Sequence, residues 1–428
     1  MSRPGAARSL RNRNFRLYLG GQGLSQVGTW FQMTAEIWAI VEITGSGKAV
    51  GLHSVLRFGP LMLFGIPGSL FSGRFNRRKF LIVTQSVYGF AALTLTVAAF
   101  AWSVTLALIY TMVAVQGLVN SIDNPVRRSF IRDMVTDGEL PNALSLNSSM
   151  EVLTRTIGPA VGGVLIVTIG VPWCFAFNTL SFSAVLTSLF LMDRSRLRPE
   201  HRLTNEPGQL RAGFRYAWTN LLIRRTLMMS TVVFLFAWNW QVVLPVYSSR
   251  VLDGDASIYG LLVGLLGVGA FIGTLVVARV RAITGRFFRI VCITLASALT
   301  IAALAPSLPF AILGLALLGA AGTAFQIGAL TRLQLESDDI MIGRILALYA
   351  VASVGAKPLS GILAGTVMDA ASPRVAFGAG AVAVGVLATG LTLGRAGRSR
   401  ASGAVDTRVI ATDDDVAAGE SMLDPSPR

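Results

Sequence analysis

Five charged side chains interrupt stretches that are otherwise apolar enough for hydrocarbon: Glu36, Arg57, Glu151, Arg155 and Lys357. A charge at mid-helix costs about 2.5–3.5 kcal/mol on insertion scales, so it faces a cavity or a partner. Glu36 lies seven residues in from the end of one stretch near Ile43, and Arg57 eight in from the start of the next near Ala49. At about 1.5 Å per residue both sit roughly 10–12 Å deep, so they can meet. Burial favours a neutral carboxyl group and a guanidinium favours the anion, so such a pair can exchange a proton when its surroundings change. The same residues also suit a permanent structural ion pair. Asp123 is a second acid for the same task.

Glu151 and Arg155 stand four apart, so on a helix they share a face and can pair. Lys357 has no partner nearby on its own stretch and suits either an anionic ligand or an acceptor on the second stretch. Uncharged polar residues outline a path. Gln116, Asn120 and Asp123 form one stripe, and Gln22, Gln26 and Thr29 form another. Trp238, Asn239, Trp240 and Gln241 cluster in the second half, with Gln326 further on. A wall of amides and aromatics suits a bulky, partly apolar ligand.

The elements that carry these residues are membrane helices. A span needs roughly 20 apolar residues. Twelve stretches qualify, at 17–41, 49–72, 80–101, 104–122, 144–169, 172–192, 226–248, 258–278, 287–306, 309–328, 345–368 and 373–394. The chain is 53% hydrophobic and only 14% charged, which leaves little material for a soluble domain. The positions of the charges orient it. Thirty-one of the 37 Lys and Arg residues fall in the tails and in alternate loops, and only Lys48, Arg250 and Arg374 fall in the others. The basic side is cytoplasmic by this bias, so both termini are expected there. The expected class is an all-α membrane protein with twelve transmembrane helices in two six-helix bundles. Its parts are a basic N-terminus (1–16), a first bundle (17–192), a cytoplasmic linker (193–225), a second bundle (226–394) and a disordered tail (395–428). Within the linker, residues 209–218 are amphipathic and suit a membrane surface.

Local motifs then point to a family. The segment from Leu10 to Tyr18, with Gln22 and Trp30, is similar to the first helix of the major facilitator superfamily drug:proton antiporters, which include macrolide and siderophore exporters. Arg74, Arg77, Arg78 and Lys79 resemble the superfamily's basic loop between helices 2 and 3, although Gly73 stands where an acid is usual. Gly158, Pro159, Gly162 and Gly163 resemble the antiporter motif of helix 5, with Thr154 replacing an expected glycine. Ile342 departs from the loop before helix 11, where an arginine is usual. The resemblance covers about residues 9–394. It implies a cavity lined by helices 1, 4, 7 and 10, gating by the basic loop, and Arg155 as a brace of the cytoplasmic half.

Pro159 removes an intrahelical hydrogen bond, and the glycines around it admit a close neighbour. Gly260, Gly264, Gly267, Gly269 and Gly273 of the eighth stretch offer the matching face.

Other classes are excluded on the residues. Thr44–Lys48 mimics a phosphate-binding loop, but the required first glycine is Glu42. No nucleophile–base arrangement marks an enzyme, and no His/Cys/carboxylate cluster has metal-ligand spacing. The net charge of +15 is explained by topology, so no nucleic-acid partner is implied. No cofactor is expected. Cys174 and Cys292 read as free thiols. The expected function is export of a small organic molecule (drug, siderophore or metabolite) by proton antiport with alternating access, from a monomer in the bacterial cytoplasmic membrane. An importer or uniporter of the same fold, and a non-transporting membrane sensor, are the alternatives.

Overall fold

The computed structural model describes residues 8–71, 76–198, 209–338 and 341–390, with the main chain alone at 65–71, 156 and 209–212. Arg74, the linker core at 199–208 and the tail from 391 lie outside the described residues.

The first helix, α1 (Arg13–Thr44), starts where Asn12 accepts hydrogen bonds from the amides of Asn14 and Phe15. It ends at Gly45, whose φ of 60° needs no Cβ. Helices α2 (Gly47–Phe71), α3 (Arg77–Phe100), α4 (Leu106–Met134), α5 (Leu140–Ile169) and α6 (Val171–Leu191) follow. After a short amphipathic helix, α7 (Gln209–Thr219), come α8 (Leu221–Val232) and α9 (Trp240–Val251), joined by a π-turn at Val233–Ala237. The remaining helices are α10 (Ala256–Ala278), α11 (Gly285–Leu304), α12 (Leu308–Leu335), α13 (Ile342–Val354), α14 (Ala356–Ala370) and α15 (Pro373–Gly390).

Among the described residues, ten helices are long and apolar enough to cross a membrane, with α8–α9 and α13–α14 each counted as one. Helices α1 and α2, which carry the Glu36 cluster, lie outside that set. Several helices overrun the apolar stretches. Helix α4 continues past the expected end at 122 to Met134, through Pro125 and a polar turn, because backbone hydrogen bonding outlasts the hydrocarbon. The expected seventh and eleventh helices are each broken, at Trp238–Asn239 and at Gly355.

Helices α1 to α6 pack among themselves, with α1 on α5 and α6, α2 on α4, and α3 on α4 and α6. Helices α10, α11 and α12 form the centre of a second group. At the basic end, Asn14 Nδ2 donates to the Asp193 carbonyl at 2.8 Å. Arg77 pairs with Asp133 at 2.6 Å, and Arg78 Nε donates to the Leu189 carbonyl at 2.7 Å.

Two seams join the groups, α5 against α10 and α2 against α14. Both depend on glycine. A Cβ on Gly260 would lie 2.7 Å from Gly163 Cα, and one on Gly361 would lie 3.0 Å from the Gly51 carbonyl oxygen. The expectation that Gly158, Gly162 and all five glycines of α10 build one interface needs correction. Gly158 faces Trp30 and Gly162 faces Phe31, both on α1, while Gly269 and Gly273 face Ala316 and Ala320 of α12. Each step along a helix rotates about 100°, so neighbouring glycines serve different partners.

Overpacking a seam costs about 1–3 kcal/mol. Gly163→Leu should therefore lower the melting temperature of the detergent-solubilised protein. Gly378→Ala should leave it unchanged, because no atom lies within 4 Å of the added Cβ. Equal melting of both variants would show that no tight seam exists at Gly163.

Candidate functional site

A cavity of about 400 Å³ opens among α1 to α6, with Lys357 of α14 on its far wall. Gln26 and Thr29 of α1 and Gln116 and Asn120 of α4 line it. So do four cations, Arg57, Arg127, Arg155 and Lys357, and one acid, Glu151. Trp30, Phe58, Tyr88 and Phe182 supply ring surface.

Behind this wall, Glu36 is fully buried. Gln32 Nε2 donates to its Oε1 at 2.7 Å, and Asn178 Nδ2 donates in turn to Gln32 Oε1 at 2.6 Å. His53 Nε2 lies 3.0 Å from Glu36 Oε2, which requires a proton on one of the two. Arg57 Nη1 lies 3.7 Å from the same oxygen and donates to Gln116 Oε1 at 2.7 Å. One guanidinium thus touches both the buried acid and the cavity wall. The chain builds this locally. The tight α1–α2 turn sets the two helices antiparallel, and His53 and Arg57, four apart on α2, share one face.

Asp123 is also fully buried. Thr84 Oγ1 and Gln85 Nε2 donate to its Oδ1 at 2.6 and 3.1 Å. Arg127 Nε stands 3.6 Å from Oδ2, one turn along α4. Arg127 Nη1 donates to Gln22 Oε1 at 3.2 Å, which places Gln22 behind the wall rather than on it.

Glu151 does not pair with Arg155 within 4 Å. Asn147 Nδ2, one turn earlier on α5, donates to its carboxylate at 2.9 Å instead. Lys357 Nζ rests over the Phe58 ring, 4.2 Å from its centre. The second-half amide and indole cluster is not on this cavity. A Cβ on Gly322 would collide with the Trp238 ring, so that indole packs on α12. Trp240 is buried, and Gln241 lines a separate crevice of about 10 Å³ with His53. Asn239 precedes α9 at the helix break, and Gln326 Nε2 reaches back to the Gly322 carbonyl at 3.5 Å.

Sequence reading missed His53, Arg127 and Asp369. The first two were marked by their spacing, four residues from Arg57 and from Asp123. Asp369, at the end of α14, crosses to the first group. Its carboxylate accepts from Ser46 Oγ at 2.6 Å and from the amides of Gly47 and Lys48 at 2.8 and 2.9 Å. It thereby caps α2, where a negative charge is favoured. Arg250 Nη2 lies 3.2 Å from the same carboxylate. This contact latches the cation-poor end of the two groups.

Among the described residues the fold is all-helical, with a charged cavity built by α1 to α6 and closed by Lys357 of α14, and the family match makes it a major facilitator transporter. Residues 5–408 match the family described as transmembrane secretion effector, and the chain belongs to that family. It is 26% identical over 358 residues to the enterobactin exporter EntS of Shigella flexneri, covering 81% of this chain and 83% of that protein. It is 22% identical to the staphyloferrin A transporter of Staphylococcus aureus over 256 residues, 59% of this chain and 64% of that one. The fold is also that of a bacterial homologue of the human lysosomal transporter Spinster, with a TM-score of 0.62 at 15% identity over 92% of this chain and 96% of that one. A POT family transporter solved with 5-aminolevulinic acid superposes with a TM-score of 0.68 at 10% identity, over 89% and 96% of the two chains. The protein is a multi-pass membrane transporter and not an enzyme.

With spin labels at Trp102→Cys and Ser307→Cys, in a background free of native cysteines, Asp369→Asn should add a longer-distance population to the native distribution. Unchanged distances would show that Asp369 does not hold this end shut.

Proposed function

We propose that this chain exports a small organic molecule from the bacterial cytoplasm by proton antiport, through alternating access of two six-helix halves. The cation bias makes the basic end cytoplasmic, with both termini there and twelve spans in all. The siderophore transporters among its relatives support a metabolite of that general kind as cargo. The basic loop at Arg77 and Arg78 serves as the hinge clamp of the first half, with Arg74 beside it in sequence.

The observation that carries the coupling is the divided contact of Arg57. Its Nη1 reaches Gln116 on the wall at 2.7 Å and Glu36 behind it at 3.7 Å. A ligand that takes the Gln116 carbonyl oxygen frees Arg57 to close on Glu36, whose anion is then favoured, so the proton leaves. When the ligand departs, Arg57 returns to Gln116 and Glu36 holds a proton again, so ligand and proton exclude one another as antiport requires. Asp123, fixed by Thr84, Gln85 and Arg127, serves as the relay nearer the cytoplasm. Opening the α2–α14 seam would wet the His53 side of Glu36 and connect it to the outside.

The test uses proteoliposomes with an imposed pH step and a substrate screen that includes enterobactin and staphyloferrin A. Glu36→Gln keeps the size and hydrogen-bonding capacity of the side chain. It should retain downhill exchange at near-native rates and lose uphill, pH-driven accumulation entirely. Uphill accumulation by Glu36→Gln would make Glu36 a structural residue.

A further inference from the structure

The charges around the cavity are not balanced within the protein. Arg57 faces Glu36 at 3.7 Å and Arg127 faces Asp123 at 3.6 Å. Arg155 and Lys357 have no carboxylate within 4 Å among the described residues. The nearest acid to Arg155, Glu151, is held by Asn147. The charged groups that face Lys357 are Arg155 and Arg57, both cations. Like charges gathered in a low-dielectric cavity repel, and an anion between them turns that repulsion into attraction. Four cations against three acids leave one positive charge over, counting the acids behind the wall.

We propose that the cavity takes an organic acid with a ring-bearing body, its acid groups held between Arg155 of α5 and Lys357 of α14. This names the substrate class and rests on the transporter reading above. Arg155 offers a planar fork that matches a carboxylate, and Lys357 offers a point charge that follows it. The two belong to different helix groups, so the anion bridges the halves that must move. Trp30, Tyr88 and Phe182 contact the rings, and Gln116 and Asn120 supply hydrogen bonds to the remaining polar atoms. A volume of about 400 Å³ accommodates one drug-sized molecule. An organic cation would find a single acid on the wall, Glu151, among four cations.

Two dyes on one xanthene scaffold separate the possibilities. Fluorescein is anionic and rhodamine 123 cationic. Fluorescence anisotropy with the full chain in nanodiscs should show fluorescein binding at least about tenfold tighter than rhodamine 123 and weakening as salt rises. Lys357→Gln and Arg155→Gln should each weaken fluorescein about tenfold and leave rhodamine 123 unchanged, while Lys357→Arg retains binding. Elution of the Gln variants as native-sized particles checks their folding. Preference for rhodamine 123, no binding of either dye, or native fluorescein affinity in both Gln variants would overturn the assignment. Flux keeps the two claims apart. Fluorescein binding without pH-driven flux would sink the antiporter reading and leave this site standing. pH-driven flux of rhodamine 123 alone would do the reverse.

Discussion

A carboxylate with no exposure, inside the first helix, is the constraint on which the rest of this structure depends. An unpaired buried charge costs several kcal/mol, so Glu36 dictates its neighbourhood. Gln32 satisfies one oxygen, while His53 and Arg57 face the other. Each of these needs its own support. Asn178 of α6 fixes Gln32, and Gln116 of α4 fixes Arg57. One acid on α1 thereby orders contacts to α2, α4 and α6, and the outermost member of the set is a residue of the cavity wall. Buried polar networks specify a unique arrangement when fully satisfied, and this one is left open at the wall, where Gln116 Nε2 has no hydrogen-bond partner among the described residues.

The second constraint is that two helix groups must touch closely at one end and enclose a cavity beyond it. Gly163 with Gly260, and Gly51 with Gly361, give smooth backbones that approach without interlocking side chains. Hydrocarbon offers no hydrophobic drive between helices, so close backbone packing supplies the attraction. Asp369 adds a polar latch to one seam through three donors around the start of α2. Smooth seams plus a small number of releasable polar contacts suit a structure with two arrangements of similar energy.

Much of this was legible in the residues. Hydropathy marked the ten helices that are long and apolar enough to cross a membrane among the described residues, and equal depth brought Glu36 and Arg57 together. The stripe of Gln116 and Asn120 was read from spacing alone. What failed has physical causes. Helix ends were placed where hydrophobicity stops, but α4 runs on to Met134 because hydrogen bonding does not need hydrocarbon. The break at Trp238–Asn239 has no proline or glycine to announce it. Which glycine faces which helix depends on rotation about the axis, and a shift of one residue exchanges Gly162 for Gly163. Glu151 was assigned to Arg155 on spacing, yet Asn147 has the same spacing on the other side. His53 and Arg127 were visible as partners four residues from charged neighbours. Asp369 was not, because its partners around the start of α2 lie over 300 residues away.

The central claim is that Glu36 gains and loses a proton while the fold stays intact. Infrared difference spectra of the protein in lipid, between alkaline and acidic buffer, read this directly. The account predicts a protonated carboxylic acid carbonyl band that appears on acidification and is missing from Glu36→Gln. An identical band in both proteins, or a Glu36 that stays ionised across the whole range in which transport runs, would contradict it.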